Sequence, residues 1–71
     1  MTAIAWSQVE SFVQTAYEKE GRVERADAIE AAYAANAGDD VIDTIDAIGS
    51  RVFNTPDDAR AFLSGQGLVS S

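Results

Sequence analysis

A chain of 71 residues with a formal charge of −7 at pH 7 is long enough for one small domain and too short for a two-domain enzyme. Twelve acidic against five basic residues disfavour direct binding to nucleic acid or to an anionic membrane, because both carry negative charge. The chain has no cysteine and no histidine, which excludes disulfides, thiolate sites and histidine-based catalysis or metal binding.

The apolar content predicts a small core and a chain that stays out of the membrane. Hydrophobic residues make up 46% of the sequence, but 13 of them are alanine, so a second copy or another protein is a candidate source of further buried surface. No apolar run approaches the roughly 18 residues that span a bilayer, and the N-terminal segment lacks the basic start of a secretory signal. We therefore expect a cytoplasmic protein with no membrane partner.

A first helix is predicted over residues 6–20, because apolar residues recur there three and four positions apart. Ser7 and Glu10 have the spacing of a capping box, and Gly21 is placed to end the helix in a left-handed conformation. The predicted buried stripe consists of Trp6, Val9, Phe12, Val13, Ala16 and Tyr17.

A second helix is predicted over residues 24–35, with alanine on almost every side and Asn36 as its left-handed end. Small side chains favour close packing of this helix against its neighbours. Before the helix, Val23 is a candidate for a short β contact with Val52 or Phe53. The predicted buried face consists of Ile29, Ala32 and Tyr33.

The third and fourth helices are predicted over residues 39–48 and 56–64. In the third, four aliphatic residues face one way and three aspartates share the opposite face, before Gly49 stops the helix. The fourth begins with Thr55 as N-cap and Pro56 at the first helical position. The apolar faces consist of Val41, Ile42, Ile45 and Ile48 in the third helix and of Ala59, Phe62 and Leu63 in the fourth.

These elements predict an all-α fold, a compact single-domain bundle of four short helices to which a minimal two-stranded β contact can be added. The domain is expected to extend over residues 1–71. Its C-terminal tail is expected to fray from about residue 65, with Leu68 to Ser71 as the frayed end. Trp6 is expected to remain partly exposed, because it opens the first helix beside a flexible start.

Residues 27–63 also carry an ordered set of motifs: a helix, a turn, an acidic pair before an aliphatic helix, an extended aromatic piece and a proline-started helix. These motifs are Ile29-Glu30-Ala31-Ala32, Ala37-Gly38-Asp39-Asp40-Val41-Ile42, Ile45-Asp46-Ala47-Ile48, Arg51-Val52-Phe53 and Thr55-Pro56-Asp57-Asp58-Ala59. This half of the chain resembles a family of short bacterial proteins known only as domain of unknown function two-seven-nine-five. The resemblance implies a helical fold and assigns no catalytic residue.

The aspartates of the third helix, Asp39, Asp40, Asp43 and Asp46, are the most concentrated charges in the sequence. Carboxylates are ligands for calcium, but this segment lacks the alternating ligands, central glycine and terminal glutamate of an EF-hand loop. We interpret the aspartates as a solvated face that also stabilises the helix start, and predict no metal and no cofactor.

Catalysis and DNA reading are both disfavoured. Without histidine no serine is activated, and a small helical domain has little room for a cleft with two catalytic carboxyls. A helix-turn-helix over residues 24–48 would bring the aspartates against phosphates. The four arginines, Arg22, Arg25, Arg51 and Arg60, are too scattered to reverse that repulsion.

We therefore predict a non-catalytic protein–protein interaction or regulatory module whose partner is another protein or a second copy of itself. The candidate interaction surface consists of Trp6, Asp39, Asp43 and Asp46. Two alternatives remain open: an acidic decoy that imitates nucleic acid and blocks a basic binding surface, and a domain that binds a metal or a small ligand.

Overall fold

Four α-helices account for most of residues 3–70, the part of the chain that the computed structural model describes. The prediction of a largely helical protein with four helices is confirmed. In chain order the elements are β1 (Ile4–Ala5), a 3₁₀ turn (Trp6–Gln8), α1 (Glu10–Glu20), β2 (Val23–Glu24), α2 (Arg25–Ala34), α3 (Asp39–Asp46), β3 (Val52–Phe53), α4 (Pro56–Gly65) and β4 (Val69–Ser70).

The predicted helix ends are present because the residues there have the required backbone geometry. Gly21 follows α1 with φ +74°, and its N–H donates to the carbonyl of Tyr17 at 2.7 Å. Asn36 follows α2 with φ +56°, a left-handed conformation that asparagine tolerates better than most residues. At the start of α4, the Thr55 hydroxyl accepts a hydrogen bond from the Asp58 amide at 3.2 Å. The predicted signals for two helix ends and one helix start are therefore confirmed.

The predicted start of the first helix is wrong. Residues 6–8 form a separate 3₁₀ turn, and α1 begins only at Glu10, with no side-chain capping bond. The expected capping box does not form, because Ser7 lies inside the 3₁₀ turn and Val9 is the N-cap of α1; Oε2 of Glu10 instead accepts a hydrogen bond from the indole Nε1 of Trp6 at 3.0 Å. The helix is therefore entered through a tight turn that brings Trp6 back over the first turn of α1.

The core lies where the apolar faces of all four helices and the short strands meet. Every residue of the predicted stripe on the first helix belongs to it, with Phe12 and Tyr17 only partly buried. Complete burial of a side chain the size of leucine or valine contributes about 1.5–3 kcal/mol, so a few such residues account for much of the stability. The largest fully buried side chains are Ile45, Ile48, Leu63, Val9, Val13 and Val23.

The predicted buried face of the second helix is partly wrong. Ala32 is fully buried and Ile29 partly buried, but Tyr33 is 64% exposed and Ala28 is buried in its place. Ala28 and Ala32 are four residues apart and lie on one helix face. Because both are small, α2 packs closely against α1 and α3 through this face, and Tyr33 is directed away from the contact.

The short β contact predicted around Val23 is confirmed. β2 and β3 are antiparallel, with Val23 opposite Phe53 and Glu24 opposite Val52. Val23 is fully buried, and the ring of Phe53 lies 5.5 Å from that of Phe62 in α4. This pairing ties the segment between α1 and α2 to the segment between α3 and α4.

The expectation of a frayed C-terminal tail is wrong for Leu68 to Ser70, while Ser71 lies outside the described residues. β4 pairs in parallel with β1, with Val69 opposite Ile4, and the Ile4 amide donates to the Leu68 carbonyl at 3.2 Å. Val69 is only 4% exposed. The tail is held because Gly67, with φ +73°, lets the chain turn back after α4 and cover the core with Val69.

Lys19 links α1 to α2, and its titration gives a testable consequence. Its ammonium lies 3.4 Å from Glu30 and 3.5 Å from Asp27. The hydrogen bond to Glu30, with the charges of Glu30 and Asp27, raises the pKa of Lys19 above its ordinary value of 10.5. The contribution of these ion pairs to folding stability is therefore complete below pH 10.5. It is lost as the pH rises through the higher pKa that Lys19 has in the folded state.

We expect Glu30→Gln to move the pKa of Lys19 back toward its ordinary value, because the substitution removes the nearer carboxylate. The pKa can be followed by NMR of the Lys19 side chain between pH 9 and 12, roughly the range in which lysine titrates. Glu20→Gln is the control, since Glu20 has no ion pair with Lys19 in residues 3–70. Equal shifts in the two variants would contradict the assignment. Because Lys19 is half exposed, solvent screening keeps its effect on stability small.

Within residues 3–70, no helix has both the length and the apolar character needed to cross a bilayer. The absence of a membrane partner and the cytoplasmic location stay predictions.

Candidate functional site

The acidic face of α3, defined here as Asp39, Asp40, Asp43 and Asp46, is presented to solvent as the sequence predicts. All four residues are exposed, while Val41, Ile45 and Ile48 are buried on the other side. The helix has one buried face and one exposed face because its aliphatic residues recur at helical spacing. Its first two aspartates lie in the first turn. There the carboxylates interact favourably with the positive end of the helix dipole.

Asp46 differs from the other three aspartates because it is neutralised. Its Oδ1 lies 2.7 Å from Nη1 of Arg25 at the start of α2, and both side chains are about half exposed. An exposed pair of this kind contributes little to stability, about 0–1 kcal/mol. Its consequence for the surface is larger, because it cancels the charge at the C-terminal end of the acidic face.

Asp39, Asp40 and Asp43 have no such counter-charge: no lysine or arginine nitrogen in residues 3–70 lies within 4.0 Å of their carboxylates. Asp40 makes a local bond, accepting from the Val41 amide at 3.0 Å, and its carbonyl accepts from the Thr44 hydroxyl at 2.8 Å. These bonds hold the first turn of α3 in place. The three carboxylates therefore form an unneutralised patch on a helix whose first turn is held in place.

Apart from Arg25, the chain's basic groups are occupied elsewhere in the described part of the structure. Lys19 pairs with Asp27 and Glu30, and Arg22 pairs with Glu24 at 2.7 Å. The last two arginines lie over aromatic rings: Arg51 over Phe62 at 4.5 Å, and Arg60 over Trp6 at 5.7 Å. None of these side chains reaches the acidic face of α3.

The aspartates do not converge into a metal centre. Among residues 3–70, no three acidic side chains lie close enough together to hold a metal ion. Residues spaced four apart along a straight helix project outward side by side, so their carboxylates are neighbours without enclosing a common point.

Trp6, the fourth predicted surface residue, is not exposed as expected. The residue is only 6% exposed: it lies in the 3₁₀ turn, belongs to the hydrophobic core, and has the guanidinium of Arg60 over its ring at 5.7 Å. It also lies apart from the acidic face: it lines a groove between α1 and α4, whose walls contain no residue of α3. The four predicted residues therefore lie on two separate surfaces: Trp6 lines the groove between α1 and α4, and the three aspartates lie on α3.

The groove between α1 and α4 has a volume of about 280 Å³ and is partly open to solvent. Its walls contain an aromatic ring, positively and negatively charged side chains, and neutral polar side chains. Glu10 is fixed by the indole of Trp6, while Arg60 has no carboxylate within 4.0 Å among residues 3–70. The lining residues are Trp6, Glu10, Ser11, Gln14, Pro56, Asp57 and Arg60.

This groove is not among the features predicted from the sequence, although the sequence contains one signal for it. Trp6 and Glu10 are four residues apart, the spacing at which an indole N–H can reach a carboxylate across one helical turn. Arg60 and Asp57 come from the opposite end of the chain, so their approach to Trp6 depends on the packing of α4 against α1.

Searches of known protein families, curated proteins and solved structures find no match to this chain. The resemblance to domain of unknown function two-seven-nine-five stays a prediction from the motifs.

Proposed function

We propose that this protein is a non-catalytic interaction module that binds a basic surface of another protein through the acidic face of α3. One observation carries the proposal: Asp39, Asp40 and Asp43 are exposed, fixed on a helix and without a counter-charge in residues 3–70. Like charges held side by side repel one another, and a cationic partner relieves that repulsion. The formal charge of −7 extends the attraction to longer range and accelerates encounter with a basic partner.

The narrower role of a nucleic-acid-mimicking decoy is supported by the charge spacing on α3. Asp39 to Asp46 contains four carboxylates, and at a rise of about 1.5 Å per residue they lie about 3.5 Å apart along the axis on average. A DNA strand carries one phosphate per roughly 3.4 Å of axis. The pairing of Asp46 with Arg25 shortens the run to three free charges, so we propose the basic-surface module first and the decoy second.

The proposal is tested with a variant that neutralises only the free carboxylates, Asp39→Asn/Asp40→Asn/Asp43→Asn. The probe is a decalysine peptide, titrated by calorimetry at low salt. The variant should bind about tenfold more weakly, since each exposed ion pair contributes about 0.2–1 kcal/mol and three are lost. Raising the salt concentration should weaken binding of the unmodified chain and reduce the difference between the two proteins.

The matched control is Glu18→Gln/Glu20→Gln/Asp58→Asn, which removes the same number of exposed charges from other parts of the surface. This control should retain most of the affinity. Equal losses in the two triple variants would overturn the proposal, because binding would then follow net charge alone. To test the decoy role, duplex DNA is added to a complex with a basic DNA-binding protein: competition supports that role, and simultaneous binding rejects it.

A further inference from the structure

The groove between α1 and α4 contains a cation that is held without an ionic partner. The guanidinium of Arg60 lies over the indole of Trp6 at 5.7 Å, near the 6 Å limit for a cation–π contact. No carboxylate in residues 3–70 lies within 4.0 Å of it, although Glu10 and Asp57 line the same groove. Among residues 3–70, Arg60 is thus held by a cation–π contact and not by an ion pair.

The two carboxylates of the groove are likewise without a cation within 4.0 Å in the described residues. Arg60 and Asp57 are three residues apart on α4, yet no nitrogen of Arg60 lies within 4.0 Å of the Asp57 carboxylate. A partner's guanidinium approaches from solvent and can form bidentate hydrogen bonds with a carboxylate of the groove.

We infer that this groove is a binding site for an arginine side chain of a partner protein, and that Arg60 occupies the place of that side chain until the partner displaces it. The inference concerns a different surface from the acidic face of α3 and stands if that proposed function fails. The excess of negative charge, two carboxylates against one arginine in the groove and −7 over the whole chain, favours a cationic guest.

Several properties of the groove select arginine among cationic side chains. With Arg60 in place the groove has a volume of about 280 Å³, just below the range of roughly 300–1,000 Å³ found for drug-sized ligands, so displacement of Arg60 leaves room for one side chain. A planar guanidinium stacks on an indole, whereas an ammonium is a compact and strongly hydrated charge. The hydroxyl of Ser11 and the amide oxygen of Gln14 are acceptors for the remaining N–H groups.

Trp6 also reports on the position of Arg60. The residue belongs to the core and is only 6% exposed, and a guest that stacks on the ring face under Arg60 takes the position of that guanidinium. Because Trp6 is the only tryptophan of the chain, its fluorescence reports on this exchange without a label.

The test titrates the full chain with Ac-Gly-Arg-Gly-NH₂ at constant ionic strength and follows the fluorescence of Trp6. The arginine peptide should change the emission in a saturable way. The corresponding citrulline peptide, which has the same shape without the charge, should not. Arg60→Ala should bind the arginine peptide about two- to fivefold more tightly, as expected for removing one exposed cation–π competitor.

Arg51→Ala is the matched control, since it removes the same charge from a similar contact with Phe62 outside the groove. It should leave the affinity unchanged. Asp57→Asn should weaken binding about two- to fivefold, while Asp58→Asn should not. This second pair keeps the inference testable if removal of Arg60 disturbs the fold.

Three results would overturn the inference: equal effects of the two arginine substitutions, equal binding of the arginine and citrulline peptides, or equal binding of a lysine peptide. The triple asparagine variant of α3 should bind the arginine peptide at the groove almost as well as the unmodified chain. That result separates this site from the acidic face.

Discussion

Replacing Leu63 with alanine should lower the free energy of unfolding by about 2–5 kcal/mol. Leu63 is fully buried in α4 and belongs to the core that all four helices share. Removing its branched end costs the transfer free energy of the lost atoms and leaves a cavity that neighbouring helices fill only in part. In a domain of this size, whose total stability is expected near the lower end of the usual 5–15 kcal/mol, such a loss brings the protein close to unfolding.

The measurement is urea unfolding followed by circular dichroism. Val52→Ala is the control, because Val52 is 51% exposed and its truncation creates no cavity. The control should change stability by less than about 1 kcal/mol. A Leu63→Ala variant as stable as the control would show that α4 does not pack on the core as described.

Replacing Val69 with aspartate should destabilise the protein by about 3 kcal/mol or more. Val69 is 4% exposed, pairs with Ile4 and covers the core beside α4. A carboxylate at this position either loses its hydration or pulls β4 away from β1, and in both cases apolar surface returns to water. The expected result is a large drop in the urea midpoint.

Ser70→Asp adds the same charge at the neighbouring residue, which is exposed in the same strand. This control should remain within about 0.5 kcal/mol of the unmodified chain. The comparison decides between a packed and a frayed C-terminus: if the two aspartate variants are equally stable, the tail does not contribute to the core.

The helices could be predicted from the sequence because their signals are local. Gly21, Asn36 and the pair Thr55-Pro56 each impose a backbone geometry that ends or begins a helix regardless of the rest of the fold. The aliphatic spacing of α3 likewise fixes which side of that helix is buried. The contact of Val23 with Phe53 was found because each lies in a short extended piece between helices.

The errors concern features that depend on contacts between distant parts of the chain. The pairing of β4 with β1 joins the two ends of the chain over two residues each, too short a segment to show an alternating pattern. Trp6 is buried in a core to which all four helices contribute and has Arg60 from α4 over its ring, and no local pattern connects these residues to it. The exposure of Tyr33 follows from the close packing of two small alanines on the neighbouring face of α2.

The residues of the candidate site likewise include some whose placement could be predicted from the sequence and some whose placement could not. Exposure of Asp39, Asp40 and Asp43 follows from helix periodicity and could be predicted. Neutralisation of Asp46 could not, because Arg25 is 21 residues away and only the packing of α2 against α3 brings the two side chains together. The groove between α1 and α4 is also a product of helix packing, so it becomes visible only in three dimensions.

NMR mapping of the decalysine complex tests the central claim, that the unneutralised carboxylates of α3 are the binding surface. Backbone amides are followed in ¹H–¹⁵N spectra as the peptide is added at low salt. We predict that the largest shift changes lie in residues 39–43, while residues around Glu18 and Glu20 move little. Shift changes spread evenly over all exposed carboxylates, or concentrated away from α3, would contradict the claim.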